Sequence, residues 1–272
     1  MQVIHVLLLL YVCNTSVLGK MESVYQKLNV SGIEGWFLAQ RTVSMMFESL
    51  MQDKPGGIEA IAEIGLYEGK SFIYMLNELE KGVPAIALDL FEDLQEFNHD
   101  HAGLGSAVKL KRNIMTYTPT KFDQVIWKHI NSQQITGAEV LKLSNQKHIT
   151  FFSIDGCHTV DCTLTDLRTA LNSMDPEWGV IMLDDFTNPE WPEVALATGI
   201  FLREHHKRLA GLAFGENKIY FVSRLRFEYW REKFLTYCKL LVDTKAMHCS
   251  DKLGAGARFD NLIKLSYPSD LP

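Results

Sequence analysis

The 272-residue chain has no Cys-x-x-Cys pair, no excess of positive charge and no long apolar run outside its first residues. Each absence excludes something. With 27 Lys and Arg against 33 Asp and Glu the formal net charge is −6, which argues against nucleic acid or an anionic membrane surface as the principal partner. The five cysteines, Cys13, Cys157, Cys162, Cys238 and Cys249, read as separate thiols, which suits a reduced compartment better than a disulfide scaffold. The run Val3 to Val12 is too short for a stable membrane span. It has the outline of a signal peptide, with Val17-Leu18-Gly19 as a small-residue cleavage site, yet no Lys or Arg precedes it. An upstream extension before a start at Met21 is the alternative. Asn29-Val30-Ser31 is a glycosylation sequon that decides nothing alone. A cytoplasmic location is expected, with the secretory pathway as the alternative if residues 1–19 are a signal peptide.

What is present fits a soluble enzyme. Hydrophobic residues make up 47% and charged residues 22%, ordinary for a domain with a sizeable core. We expect a possible leader at 1–20, a helical segment at 21–57, a main domain at 58–225 and a C-terminal helix and tail at 226–272. The main domain is organised around Ile61 to Ser71. There an apolar run ends in Glu63, followed by Gly65, Gly69 and a helical pattern opening at Ser71. Such a turn points free helix N–H groups at a ligand. It is not a P-loop, because Ile64 stands where the first glycine is required, and Tyr67 breaks a dinucleotide fingerprint.

Apolar runs and helical patterns then alternate, which predicts a doubly wound, mostly parallel sheet. Strands are expected at Ala60–Leu66, Ala85–Leu90, Gln133–Thr136, Ile149–Asp155 and Val180–Asp185. A hairpin follows over Leu209–Gly215 and Lys218–Ser223. Helices are expected at Gly69–Lys81, Thr120–Asn131, Ala138–Ser144 and Val160–Asn172, from the Pro192 region to Lys207, and over Arg226–Val242. Phe91 to Ser106 reads as an active-site loop, and the residues after 242 as a polar tail.

The chemistry gathers at strand ends. Glu63, Asp89, Asp155, Asp184 and Asp185 all lie where an open parallel sheet binds its ligand. Asp89, about 20 residues after the glycine turn, suits a ribose diol. Asp155, Asp184 and Asp185 could hold a hard cation such as Mg²⁺, or simply cap the turns that follow. His158 is placed to act as a general base, and His99 and His101 are weaker candidates. Cys157 reads as a small buried filler.

The segments Asp155-Gly156-Cys157-His158, Asp166-Leu167 and Gly179 to Phe186 resemble a family of small-molecule O-methyltransferases. This is the class I S-adenosylmethionine-dependent family that includes macrocin and cephalosporin tailoring enzymes. The resemblance runs from about Glu63 to Val222 and takes in Gly35-Trp36-Phe37 and Asn217-Lys218-Ile219-Tyr220. It implies a seven-stranded Rossmann-like sheet with its last strand antiparallel. Glu63, Gly65, Tyr67, Gly69 and Ser71 would serve the methionine end of S-adenosylmethionine, and Asp89 its ribose. Asp155, Asp184 and Asp185 would hold a divalent metal such as Mg²⁺, and Asp155 and His158 would act on a small hydroxylated substrate. One departure stands out: the family usually reads Asp-Gly-Asp-His, and Cys157 replaces the second acid. Two other classes stay open, a non-catalytic binding protein on this fold and a nicotinamide oxidoreductase. Association into a homo-oligomer is left open as well.

Overall fold

The computed structural model describes residues 32–99, 101–243, 248–250 and 262–266. The apolar segment Val3 to Val12, the Met21 start and the sequon at Asn29 lie outside the described residues. The chain begins with helix α1 (Gln40–Asp53), then β1 (Ile61–Ile64), α2 (Lys70–Glu78) and β2 (Ala85–Asp89). Next come α3 (Ala107–Tyr117), β3 (Val125–His129), α4 (Gly137–Leu143), β4 (Phe151–Ile154) and α5 (Val160–Ser173). Then come β5 (Val180–Leu183), α6 (Pro192–His205), β6 (Leu209–Gly215), β7 (Lys218–Ser223) and α7 (Phe227–Asp243). Two further strands, β8 (His248–Ser250) and β9 (Ile263–Ser266), follow.

The strands form one sheet in the order β3-β2-β1-β4-β5-β7-β6-β9-β8. The first seven are the expected doubly wound sheet. β1 to β5 pair parallel, and β7 enters antiparallel between β5 and β6. The expected polar tail supplies the other two strands, β9 pairing with β6 and β8 with β9. Tail residues Ile263 and Leu265 are buried, so their alternation is what makes that segment a strand. The hairpin turns at Glu216 and Asn217, both at positive φ (57° and 65°), the pair of left-handed residues that a two-residue turn between twisted strands requires.

Alternate strand residues face opposite layers. Phe151 meets Phe47 of α1 on the layer that also buries Tyr74 of α2, Leu110 of α3 and Trp230 of α7. Its neighbour Phe152 packs with α4, α5 and α6 through Val140, Leu167 and Phe201. Each such ring contributes about 1.5–3 kcal/mol by leaving water.

The middle of the chain departs from expectation. Residues 120–131 do not form one helix: Pro119–Gln124 is a short 3-10 stretch, and Val125–His129 is the third strand, pairing with β2. Its β-branched and aromatic residues favour the pleated edge over a helix. Gln133 lies in a short 3-10 turn, not in a strand. The helix that was not expected, α3, buries Ala107, Leu110 and Ile114 on one face and is capped by Ser106, whose hydroxyl accepts from Lys109 N–H.

Candidate active site

At the carboxyl ends of β1, β2, β4 and β5 opens a cavity of roughly 910 Å³, where an open α/β sheet takes its ligand. It has two halves. One is the glycine turn after β1. Gly65 has φ +77°, and a Cβ there would lie 1.8 Å from the carbonyl oxygen of Asp155. Only glycine lets the turn sit against the end of β4. Gly69 caps α2 in the left-handed region, and a Cβ would press on Leu110.

The side chains of this half support the turn. Asp89 Oδ2 accepts from the N–H groups of Leu66 (2.6 Å) and Tyr67 (3.2 Å), and Oδ1 from Phe91 (2.7 Å). Burial pushes its carboxyl above the ordinary range, against the pull of those N–H donors. Glu63 is fully buried beneath the turn, where its Oε1 accepts from Ser71 (2.6 Å) and Ser153 (2.9 Å). Its Oε2 has no partner, and burial raises its pKa to about 7. Tyr67 donates to Glu34 (3.1 Å) and Lys70 to the Gly35 carbonyl (2.8 Å). These two contacts fasten residues 34–36 across the cavity mouth, leaving Trp36 92% exposed.

The other half is acidic. Ile154 and Leu183 are partners in the parallel pairing of β4 and β5, so Asp155 and Asp184 emerge side by side. Asp155 opens onto the cavity. Although the residue is exposed to the cavity, the protein packed around it displaces bulk water, and this desolvation and the charge of Asp184 hold its pKa well above the carboxylate range, with Lys218 opposing them. Asp184 forms an ion pair with Lys218 and accepts from the N–H of Asp185. Burial works against the charge on Lys218, but Asp184 and Asp155 more than restore it. Asp185 sits at φ +59°, a conformation that costs a non-glycine residue about 1–3 kcal/mol. Its Oδ2 meets His158 Nε2 at 2.9 Å, and Oδ1 accepts from Asn188 and Asn217, each at 2.8 Å. Burial raises the Asp185 carboxyl, yet these three donors outweigh it and hold the pKa near 2. Trp191 stacks on His158 with ring centres 4.3 Å apart.

Asp155, His158 and Asp185 offer ligand atoms within 4.8 Å of one another. Asp184, expected in the same set, is turned to Lys218. His99 lines the cavity from the loop after β2, as do Phe97, Asn98 and Leu104. Sequence reasoning did not single out Trp191, Asn188 or Glu34. Asn188 and Trp191 each stand directly before a proline, Pro189 and Pro192, just after an acidic strand end, and that was the available signal.

Cys157 is not a filler, and the reading of five separate thiols is corrected. Cys157 and Cys162 form a disulfide with Cα atoms 5.9 Å apart, and Cys238 is also disulfide-bonded. One turn of α5 brings Cys162 back over the loop that holds Cys157, a proximity not used in reading the spacing.

Residues 62–186 match the model of a family described as a methyltransferase domain. Among solved structures, the O-methyltransferase NovP superposes with a TM-score of 0.53 at 13% identity, over 67% of this chain and 79% of that one. The calicheamicin methyltransferase CalS11 gives 0.48 at 16% identity, over 75% of this chain and 91% of that one. An O-methyltransferase from Bacillus cereus, in complex with SAH, gives 0.48 at 16% identity over 76% and 91%. No curated protein matches the chain. The fold is therefore the class I methyltransferase fold, extended by β8 and β9.

Proposed function

Proceeding from the match of residues 62–186 to a methyltransferase domain, we propose that the chain transfers a methyl group from S-adenosylmethionine to a hydroxyl oxygen of a small molecule. The observation that carries this reading is the pairing of His158 with Asp185 at 2.9 Å, facing the glycine turn across one cavity. The similar structure NovP, an O-methyltransferase, favours oxygen as the acceptor atom.

The cofactor fits what the chain provides. The methionine end would lie along the Gly65–Ser71 turn, where the absent Cβ of Gly65 leaves room for close approach. Asp89 would take the ribose hydroxyls with the carboxylate that now accepts from the turn. Glu63 would act from beneath, by fixing Ser71. S-adenosylmethionine supplies an activated methyl group, so the remaining work is to orient and deprotonate the acceptor.

His158 would take the hydroxyl proton. Asp185, kept ionised by Asn188 and Asn217, orients the ring and stabilises the imidazolium. The Trp191 face restrains the same ring and walls the acceptor's side of the cavity. A divalent cation also fits the donors present: Asp155 and Asp185 would hold it, within reach of His158. When bound, it would lower the pKa of the acceptor hydroxyl. Asp184 serves by keeping Lys218 in place.

The bridged Cys157 and Cys162 favour the secretory alternative over a cytoplasmic location, because such bonds persist in oxidising compartments. Among the described residues no helix is long and apolar enough to cross a membrane.

The test is mass-spectrometric detection of methylated products and S-adenosylhomocysteine across a panel of hydroxylated metabolites. Turnover of at least one, reduced about 10²–10⁴-fold in His158→Gln, is expected. Loss with chelator and return with Mg²⁺ or Mn²⁺ would support the cation. Turnover of thiols or amines alone would overturn the oxygen assignment.

A further inference from the structure

The Cys157–Cys162 bridge lies in the wall of the cavity, and both residues line it. It joins two very different pieces of chain. Cys157 belongs to the irregular link between β4 and α5. The last sheet bond before that link is Asp155 N–H to the Ile64 carbonyl, and the first helical bond after it is Thr163 N–H to the Thr159 carbonyl. Cys162 belongs to the first turn of α5, is 8% exposed, and is fixed by the helix. Its carbonyl also accepts from Gln133 at 3.4 Å. The α5 side holds Cys157 a second time, since Thr163 Oγ1 donates to the Cys157 carbonyl at 3.4 Å.

The residue directly after Cys157 is His158. Its ring is met from the opposite side by Asp185 and Trp191, which belong to the β5–α6 connection. The imidazole therefore bridges two loops, one braced by the sulfur bond and the other by the Asn188 and Asn217 bonds to Asp185.

We infer that the Cys157–Cys162 disulfide is a positioning element of the active site, holding the loop that presents His158 to Asp185 and Trp191, so that the enzyme is competent only when oxidised. Its catalytic part rests on the methyl-transfer reading above; its structural part does not. Reduction by a dithiol delivers two electrons and two protons to the two sulfurs and breaks the S–S bond. Two thiols form, and the dithiol closes to its own cyclic disulfide. Cys157 is half-buried at the cavity wall, within reach of such a reagent.

The stacking on Trp191 gives a readout that needs no substrate. A ring 4.3 Å above an indole has its imidazole proton resonances shifted strongly upfield, and His158→Gln assigns them. In the oxidised full-length protein one histidine should show these shifted signals. In dithiothreitol they should move to the ordinary range, and re-oxidation should restore them. Because the bridge at Cys238 is reduced too, the double variant Cys157→Ala/Cys162→Ala isolates this bond and should show the unshifted signals under oxidising conditions. With an acceptor in hand, the same variant should lose about tenfold or more in kcat while its KM for S-adenosylmethionine stays within twofold. Shifted His158 signals that persist in the variant, or free thiols at Cys157 and Cys162 by peptide mapping of the native protein, would overturn the inference. Failure to bind any adenosyl compound would instead count against the methyl-transfer reading and leave the resonance test standing.

Discussion

The two halves of the cavity are built by different means. The glycine turn is made from backbone: Gly65 lies against the Asp155 carbonyl, and Asp89 gathers three N–H groups onto one carboxylate. The acidic half is made from side chains drawn from separate stretches of chain, with Asp155 and His158 after β4, Asp184 and Asp185 after β5, and Asn217 and Lys218 at the β6–β7 hairpin. The first kind of site depends on dihedral angles at a few positions. The second depends on charge neutralisation, so the two should fail differently when altered.

The largest effect is expected on the backbone half. Gly65→Ala must displace the end of β4 and also adopt φ +77°, strain that alone costs about 1–3 kcal/mol. Thermal unfolding should show a fall of more than that, together with loss of adenosyl-compound binding. A variant with unchanged melting temperature would break the claim that the halves meet at this contact.

On the acidic half, Lys218→Met leaves Asp184 and Asp155 close together without the buried ammonium. Breaking a buried pair in this way costs roughly 3–5 kcal/mol, measurable by denaturant unfolding. The double change Lys218→Met/Asp184→Asn should recover part of the loss. No recovery would mean that Lys218 acts through its ammonium over the Phe37 ring more than through the ion pair with Asp184.

A smaller effect sharpens the comparison through pH. Asp166 is fully buried beneath Gly156, with one carboxylate oxygen lacking a partner. Burial raises its pKa from 3.8 to about 7. A carboxyl raised on folding stabilises the fold while protonated, and that contribution is lost as pH climbs from about 4 to about 7. Asp166→Asn is neutral throughout, so its stability relative to the parent should rise by about 2–4 kcal/mol over that window and level off above it. Asp185 has the opposite sign. With its pKa held near 2, it supports the fold above pH 4, and that support fades as pH falls toward 2. A stability difference for Asp166→Asn that is flat from pH 4 to 8 would contradict the raised titration.

The same contrast explains what could be read in advance. Gly65, Gly69 and Asp89 announce their places in the fold through spacing, because a strand-to-helix turn and the next strand end have nearly fixed separations. The acidic strand ends were visible for the same reason. What Asp184 and Asp185 do was not, since it depends on Lys218 and Asn217 arriving from a hairpin more than thirty residues away. The middle of the chain was misread because Val125–His129, a short edge strand with a polar C-terminal end, carries too weak a pattern to displace a helical reading. The buried face of α3 was present at Ala107, Leu110 and Ile114 but lay in a stretch, between the expected loop ending at Ser106 and the expected helix from Thr120, to which no element was assigned. The strands after residue 242 are held by pairing, β9 with β6 and β8 with β9, and the alternation of Ile263 and Leu265 is too short to announce a strand by itself.

The most direct test of the central claim is a calorimetric titration of the full-length protein with S-adenosylhomocysteine, run beside NAD and beside the Asp89→Ala variant. One adenosyl compound per chain should bind and NAD should not. The variant should bind about 10–100-fold more weakly, from the loss of charged hydrogen bonds worth about 1.5–3 kcal/mol. Absence of adenosyl binding by the folded parent, or binding of NAD in its place, would contradict the account.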